Sequence, residues 1–269
     1  MKTQRISTTE MAYVDRGGGP AVVLVHGFPL DHSMWNAQID AIADRARVIA
    51  PDMRGFGQTP LGRVDETAGI SMEQYADDVA ELLDALAVDE PIVLCGFSMG
   101  GYVAWQFVRK YGDRPRALVQ CDTRAAADTD EARAGRLKMA ENVAEWGSGR
   151  VAEMMGPKLF APRTFETQPE VIAAVRKVVE STSPAAIAAA QRGMAARPDV
   201  TDLLPQIDVP TLALCGAEDA ISPLPEMRKI AEAIPNAEFV EIPDAGHMTT
   251  MENPAAVNEA LVRFIDAVG

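Results

Sequence analysis

The chain has 269 residues, 48% hydrophobic and 24% charged, which suits one α/β domain with a modest insertion and a core that needs neither disulfides nor metals. Its 25 Lys and Arg against 39 Asp and Glu leave a net charge of −14, which disfavours binding to nucleic acid or anionic membranes through phosphate contacts. No run approaches the about 18 apolar residues of a membrane span, and Met1-Lys2-Thr3-Gln4-Arg5-Ile6 carries no apolar signal region, so a cytoplasmic protein without membrane partners is expected.

Short apolar runs alternate with longer amphipathic segments, the pattern of a largely parallel sheet covered by helices on both faces. Residues 5–8 and 11–15 read as an antiparallel edge hairpin, and 21–25 as a buried strand that leads into His26-Gly27-Phe28-Pro29. His32 and Trp35 follow, with packing as their ordinary role. A strand at 47–50 runs into Pro51-Asp52-Met53-Arg54-Gly55-Phe56-Gly57-Gln58-Thr59, where Asp52 and Arg54 are expected to pair internally. Ser71-Met72-Glu73-Gln74 has the capping-box form and opens a helix to about residue 87, with Tyr75, Val79, Leu82, Leu83 and Leu86 on one stripe.

The strand at 92–95 ends in Gly96-Phe97-Ser98-Met99-Gly100, and a helical pattern begins at once. This strand-turn-helix setting is that of a nucleophile elbow: the turn is tight enough to strain the serine backbone, and side chains at either flanking glycine would collide with the strand or the helix. A strand at 117–121 follows and ends at Asp122. Between 123 and 205 the alternation stops, and helix-patterned segments near 131–146, 150–155, 169–180 and 184–194 read as a helical cap inserted into a core made of 1–122 and 206–269. Met139, Met154 and Phe160 in this insertion have packing onto the sheet as their ordinary role and are also candidate substrate contacts, since the flexible thioethers of methionine suit an adaptable apolar pocket. The strands resume at 211–215 and 238–242, and Asn253-Pro254 introduces a final helix with Val257, Leu261, Phe264 and Ile265 facing inward.

A serine hydroxyl is a weak nucleophile until a base takes its proton, and the chain has three histidines, His26, His32 and His247. His247, in a loop between the last strand and the last helix, is the expected base. The acid that orients it is expected at Asp219, in Gly216-Ala217-Glu218-Asp219, with Asp122 as rival. Cys95, Cys121 and Cys215 each end an apolar run with spacings that fit no zinc motif, so packed free thiols and no metal are expected.

His26-Gly27-Phe28-Pro29, Gly96-Phe97-Ser98-Met99-Gly100, Gly216-Ala217-Glu218-Asp219 and Gly246-His247, in that order, resemble the α/β-hydrolase superfamily over essentially the whole chain. Within it the sequence is similar to small carboxylesterases, aryl esterases, enol-lactonases and perhydrolases. The resemblance implies an eight-stranded, mostly parallel sheet with a helical cap, and a serine carboxylesterase that needs no cofactor and takes a small-molecule ester. It also implies an oxyanion hole made by the amides of Phe28 and Met99, with His26 anchoring its own loop and Trp35 and Met248 flanking the pocket. Serine at the elbow disfavours dehalogenase and epoxide hydrolase chemistry, which needs aspartate there. Lactonase or perhydrolase action shares the same residues, and a ligand-binding protein that has lost turnover is the reading from a different class.

Overall fold

The computed structural model describes residues 1–64 and 68–269. The chain opens with β1 (Lys2–Arg5), β2 (Glu10–Arg16) and β3 (Ala21–Val25), a short 3₁₀ turn (His32–Trp35), α1 (Asn36–Ile42), β4 (Arg47–Pro51) and α2 (Met72–Ala85). It continues with β5 (Ile92–Phe97), α3 (Met99–Lys110) and β6 (Pro115–Cys121), then the four helices α4 (Asp130–Leu159), α5 (Pro162–Thr167), α6 (Pro169–Ser181) and α7 (Pro184–Ala195). It closes with β7 (Thr211–Gly216), α8 (Leu224–Ala233), β8 (Ala237–Ile242), α9 (Thr249–Glu252) and α10 (Pro254–Val268).

The strands form one eight-stranded sheet in the order β1-β2-β4-β3-β5-β6-β7-β8. Among the described residues only the β1–β2 and β2–β4 pairs are antiparallel; β4, β3, β5, β6, β7 and β8 run parallel. Every residue of β3, β5 and β7 is buried, as strands covered by helices on both faces require. β8, at the sheet edge, keeps Glu238 and Glu241 at the surface, a charge pattern that discourages pairing with another chain. Because β3 and β5 to β8 share one direction, the loops that leave their carboxyl ends gather along one edge of the sheet, the usual place for a site in such a fold.

The first strand lies three residues earlier than the sequence pattern suggests. Residues 6–9 form the hairpin turn, closed by the Ile6 N–H donating to the Thr9 carbonyl (3.0 Å), and Ile6 is apolar because it packs into the core from that turn. The capping box at Ser71 is present in both directions, with Gln74 N–H donating to Ser71 Oγ (3.2 Å) and Ser71 N–H to Gln74 Oε1 (2.8 Å). The two expected helices near 131–146 and 150–155 are one long span, α4, broken at Gly147 (φ 76°, ψ 162°). The short helices α5 and α9, as well as α1 and α8, carry no periodicity strong enough to be read in advance. Among the described residues no helix is long and apolar enough to cross a membrane.

Candidate active site

Ser98 stands between β5 and α3 with φ 52° and ψ −112°, a conformation that costs about 1–3 kcal/mol and persists only where its surroundings enforce it. Three groups do so here. The Ser98 N–H donates to the Cys121 carbonyl (2.9 Å), the Ser98 carbonyl accepts the Thr123 hydroxyl (2.7 Å), and the same carbonyl accepts the Gly101 N–H (2.9 Å). Both flanking glycines are sterically required. A Cβ on Gly96 would come within 2.4 Å of the Gly100 carbonyl oxygen, and one on Gly100 within 2.2 Å of the Val25 carbonyl oxygen. The elbow is therefore backbone packed on backbone, and the end of β3 is one of its walls.

His247, in the loop after β8, places Nε2 2.9 Å from Ser98 Oγ and Nδ1 2.8 Å from Asp219 Oδ2. A carboxylate at Nδ1 requires that nitrogen to carry the hydrogen, which leaves the Nε2 lone pair facing the serine. Asp219 is fixed in turn: its Oδ1 accepts the N–H groups of Ile221 (2.7 Å) and Ser222 (2.9 Å) in the loop after β7. Burial opposes its charge, but His247 and these amides outweigh burial and hold the carboxyl below its usual range. Phe97 lies against the imidazole, ring centres 5.1 Å apart. His247 and Asp219 are buried, while Ser98 keeps partial access to solvent.

Asp122 takes no part in this chain of contacts. Its carboxyl accepts the Gly216 N–H (2.9 Å) and the Thr249 hydroxyl, and its carbonyl accepts the Ser222 hydroxyl (2.9 Å), so it stitches β6 to the loops after β7 and β8. Burial, together with the neighbouring charge of Asp219, pushes its pKa well up. Asp122, Asp219 and Cys215 lie close enough to share an ion. Their chemistry is that of an internal polar seam instead: burial pushes the Cys215 thiol up, its Sγ donates to the Ser222 carbonyl (3.3 Å), and Asp219 serves His247. A second such group, Asp31, His32 and Asp52, is likewise committed, with Asp52 paired to His32 Nδ1 (2.7 Å) and Asp31 capping the 3₁₀ turn through Ser33 N–H (2.9 Å). The three cysteines are free and buried, with Cys95 and Cys121 sulfurs 3.9 Å apart.

Among the described residues, the N–H groups of Phe28 and Met99 have no hydrogen-bond partner. Met99 is the first residue of α3, so its amide is one of the unpaired donors at a helix amino terminus, where the helix dipole also favours negative charge. Gly27 rests directly on Phe97, which brings the Phe28 loop against the elbow. That loop is held from below by His26, whose Nε2 accepts the Met53 N–H (2.9 Å) and whose Nδ1 donates to the Gly27 carbonyl (2.9 Å); burial lowers its pKa and keeps it neutral in this role.

Other expected residues are placed differently. Asp52 and Arg54 do not pair with each other: Asp52 meets His32 and the Gln58 N–H, whereas Arg54 forms a buried pair with Asp78 (2.8 Å), whose pKa burial pushes up to about 6. The turn after β4 points their side chains apart, which a two-residue spacing does not reveal. Trp35 is fully buried, edge-on to Phe97, as a packing residue beneath the site. Met154 is 42% exposed on α4. Met139 is half-buried, its sulfur accepting from Gln191 Nε2 (3.1 Å). Phe160 lines an apolar cavity of about 180 Å³ with Leu159, Phe165, Ile172 and Val175. Met248 is buried, and its N–H bonds to the Leu159 carbonyl (3.1 Å). Two further residues of the site, Thr123 and Glu252, gave no signal in the sequence: each looks like an ordinary polar loop or helix-end position.

Comparison with known proteins gives the family and the fold. The model of the alpha/beta hydrolase fold family matches residues 20–254. A thermophilic esterase from Thermogutta terrifontis has a structure superposing with a TM-score of 0.95 at 47% identity, covering 100% of this chain and 99% of the other. The enol-lactonase from Burkholderia xenovorans superposes with a TM-score of 0.90 at 28% identity, covering 98% and 100%. In sequence, 3-oxoadipate enol-lactonase 2 of Acinetobacter baylyi is 29% identical over 246 residues, 90% of this chain and 87% of the relative.

Proposed function

This chain belongs to the α/β-hydrolase family, and from that premise we propose that it is a serine esterase, hydrolysing small to medium carboxylic esters through an acyl-enzyme. The observation that carries the reading is the unbroken line Asp219–His247–Ser98 beside two unpartnered amides. Ser98 Oγ attacks the ester carbonyl while His247 Nε2 takes its proton, and Asp219 stabilises the imidazolium that forms. The Phe28 and Met99 amides receive the oxyanion. Each such donor contributes about 2.7–4 kcal/mol to the transition state where it has been removed in other hydrolases. His247 then protonates the departing alcohol, and in the second half-reaction it activates the water that releases the acid.

We place the tail of the substrate, away from its reacting carbonyl, against the helical insertion, whose cavities lie beside the site and are not lined by Ser98 or His247 themselves. α6 borders two cavities, the 180 Å³ space beside Phe160 and one of about 440 Å³ under Leu30, Met34 and Met251, and Val175 lines both. Lactone hydrolysis is the second reading, because it uses the same residues and enol-lactonases are among the relatives. The higher identity to an esterase, and the His26-Gly27-Phe28-Pro29 segment, favour open-chain esters.

The test is a rate profile over p-nitrophenyl esters of increasing acyl length with an enol-lactone in parallel, alongside fluorophosphonate labelling. Ser98→Ala is expected to abolish labelling and to lower kcat by about 10⁶-fold. Ester hydrolysis that survives this substitution would sink the proposal, and a strong preference for the lactone would reverse the order of the two readings.

A further inference from the structure

Glu252 ends the four-residue helix α9, five positions after His247, and is 4% exposed. Its two carboxylate oxygens serve different parts of the molecule. Oε1 accepts the N–H groups of Gly246 (2.9 Å) and Met248 (3.1 Å, shared with the Leu159 carbonyl at 3.1 Å), the residues on either side of His247. Oε2 accepts the Ala161 N–H (2.8 Å) and the Thr164 hydroxyl (2.5 Å), where the insertion turns from α4 into α5. Gln168 adds a bond from Nε2 to the Glu252 carbonyl (3.0 Å).

The two parts also touch directly. A Cβ on Gly246 would come within 2.5 Å of the Ala161 nitrogen and 2.6 Å of the Phe160 carbonyl carbon, so the histidine loop lies with its backbone flat against residues 160–161. The four donors to the carboxylate are neutral, and burial pushes its pKa up while their hydrogen bonds act in the opposite direction. A buried acid in this setting is expensive unless every lone-pair direction is met, and here each oxygen accepts two donors. Only a carboxylate offers that symmetry. A glutamine would bring one oxygen for two pairs of donors and turn its NH₂ toward the other pair.

We propose that Glu252 is a positioning residue for the reaction described above: it fixes the backbone that carries His247 and locks it to the insertion at residues 159–164, so that base and cap hold one geometry. The inference rests on His247 acting as the base for Ser98. Misplacement of a reacting group by about 1 Å costs on the order of 10²-fold in rate, which sets the size of the effect.

The experiment compares the parent with Glu252→Gln and Thr164→Val, the latter removing one donor on the insertion side alone. The activity of each is expressed per site labelled by a fluorophosphonate. Glu252→Gln is expected to lose about 10²-fold in kcat with KM within about threefold, and Thr164→Val to keep kcat within about threefold while losing thermal stability. The downfield proton resonance of the His247–Asp219 hydrogen bond is expected to move or broaden in Glu252→Gln and to stay in place in Thr164→Val. A Glu252→Gln enzyme with kcat within about twofold of the parent overturns the proposal, whatever its melting temperature. If that variant does not fold, Glu252→Asp is read in the same way: it keeps charge and oxygens but shortens the reach by one methylene, and unchanged kcat overturns the proposal. A parent that neither labels nor hydrolyses esters refutes the esterase reading instead. The resonance then decides alone, and an unmoved His247 signal in Glu252→Gln overturns the positioning role.

Discussion

The carboxyl edge of the sheet and the helical insertion above it are held by different physics. At the edge, backbone lies on backbone: Gly96 against Gly100, Gly100 against Val25 and Gly216 against Gly246, at distances that admit no side chain. Hydrogen bonds to main-chain atoms then fix Ser98 and Asp219. In the insertion, α4 packs on α6 and α7 through side chains, α4 is interrupted at Gly147, and Leu137, Met154 and Phe165 stay exposed. Among the described residues, polar ties from the insertion to the core include Thr182 with the Pro29 carbonyl, the Ile70 N–H with the Ala189 carbonyl, and Glu252 with Ala161 and Thr164, while Asp128 with Arg136 and Arg197 braces the insertion internally. For the proposed reaction the difference divides the work: the chemistry rests on main-chain packing that leaves no room for a side chain at Gly96, Gly100 and Gly216, and selectivity on helices packed through side chains.

The sharpest way to break this comparison is to exchange the two acids at the edge. Asp219→Asn removes the charge that orients His247 and stabilises its imidazolium, and kcat is expected to fall by about 10⁴-fold. Asp122→Asn, a short distance away, is expected to leave kcat within about threefold. Burial pushes the Asp122 pKa well up and so favours its neutral form, and an asparagine keeps its shape: the amide oxygen can accept from Gly216 N–H and the NH₂ can donate to Thr249 Oγ1 once that hydroxyl turns. Steady-state kinetics on the two purified variants decides the matter. A large loss in Asp122→Asn would mean that the edge has two working acids.

The same contrast explains what could be read from the sequence. The elbow, the capping box and the order of serine, acid and histidine are set by short-range turn chemistry, and a motif carries them. The antiparallel hairpin and the parallel strands were legible from their apolar runs, with the first strand displaced because Ile6 is apolar for the sake of a turn. The substrate contacts were not legible. Whether Trp35, Met139 or Met154 faces a pocket, a neighbour or water depends on how separate helices pack, and a methionine has the same local pattern in all three settings. Arg54 finding Asp78 instead of Asp52, and Glu252 reaching both Gly246 and Ala161, are long-range pairings of polar residues with no local signature.

The second prediction loosens the insertion and leaves the edge alone. Asp128, just before α4, accepts Arg136 Nε (2.6 Å) and Arg197 Nη1 (2.7 Å), and the Arg197 guanidinium lies 4.2 Å over the Tyr102 ring of α3. Burial opposes its charge, but the two arginines outweigh burial and hold its pKa below the usual value. A depressed carboxyl stabilises the fold above its unfolded pKa of about 3.9, and that contribution is lost as pH falls through the lower folded value. Asp128→Asn leaves Arg197 buried without its charge partner, which costs about 3–5 kcal/mol. Denaturant unfolding at neutral pH should show this loss, and the gap between parent and variant should narrow as pH falls below about 4. Because the edge is untouched, kcat is expected to change by less than about tenfold. A kcat that collapses along with the stability would mean that the two regions are not separable.

The smallest expected effect bears on selectivity. Val175 on α6 is buried and borders both cavities, neither of which is lined by Ser98, His247 or Asp219, so Val175→Phe fills space in which the proposed reaction places the tail of the acyl or alcohol group. One methylene in an apolar pocket changes discrimination by roughly 1–3 kcal/mol, so the ratio of kcat/KM for a long-chain ester over the acetate is expected to fall by about tenfold or more. The acetate rate should hold, since the reacting carbonyl still meets the same serine and amides. The added volume also costs about 1–3 kcal/mol of stability from overpacking, so the ratio has to be measured well below the variant's melting temperature. An unchanged ratio would move the substrate's tail away from α6, to a wall of the site supplied by the sheet edge itself. The division between a fixed chemical edge and a selective insertion would then fail, because one region would be performing both tasks.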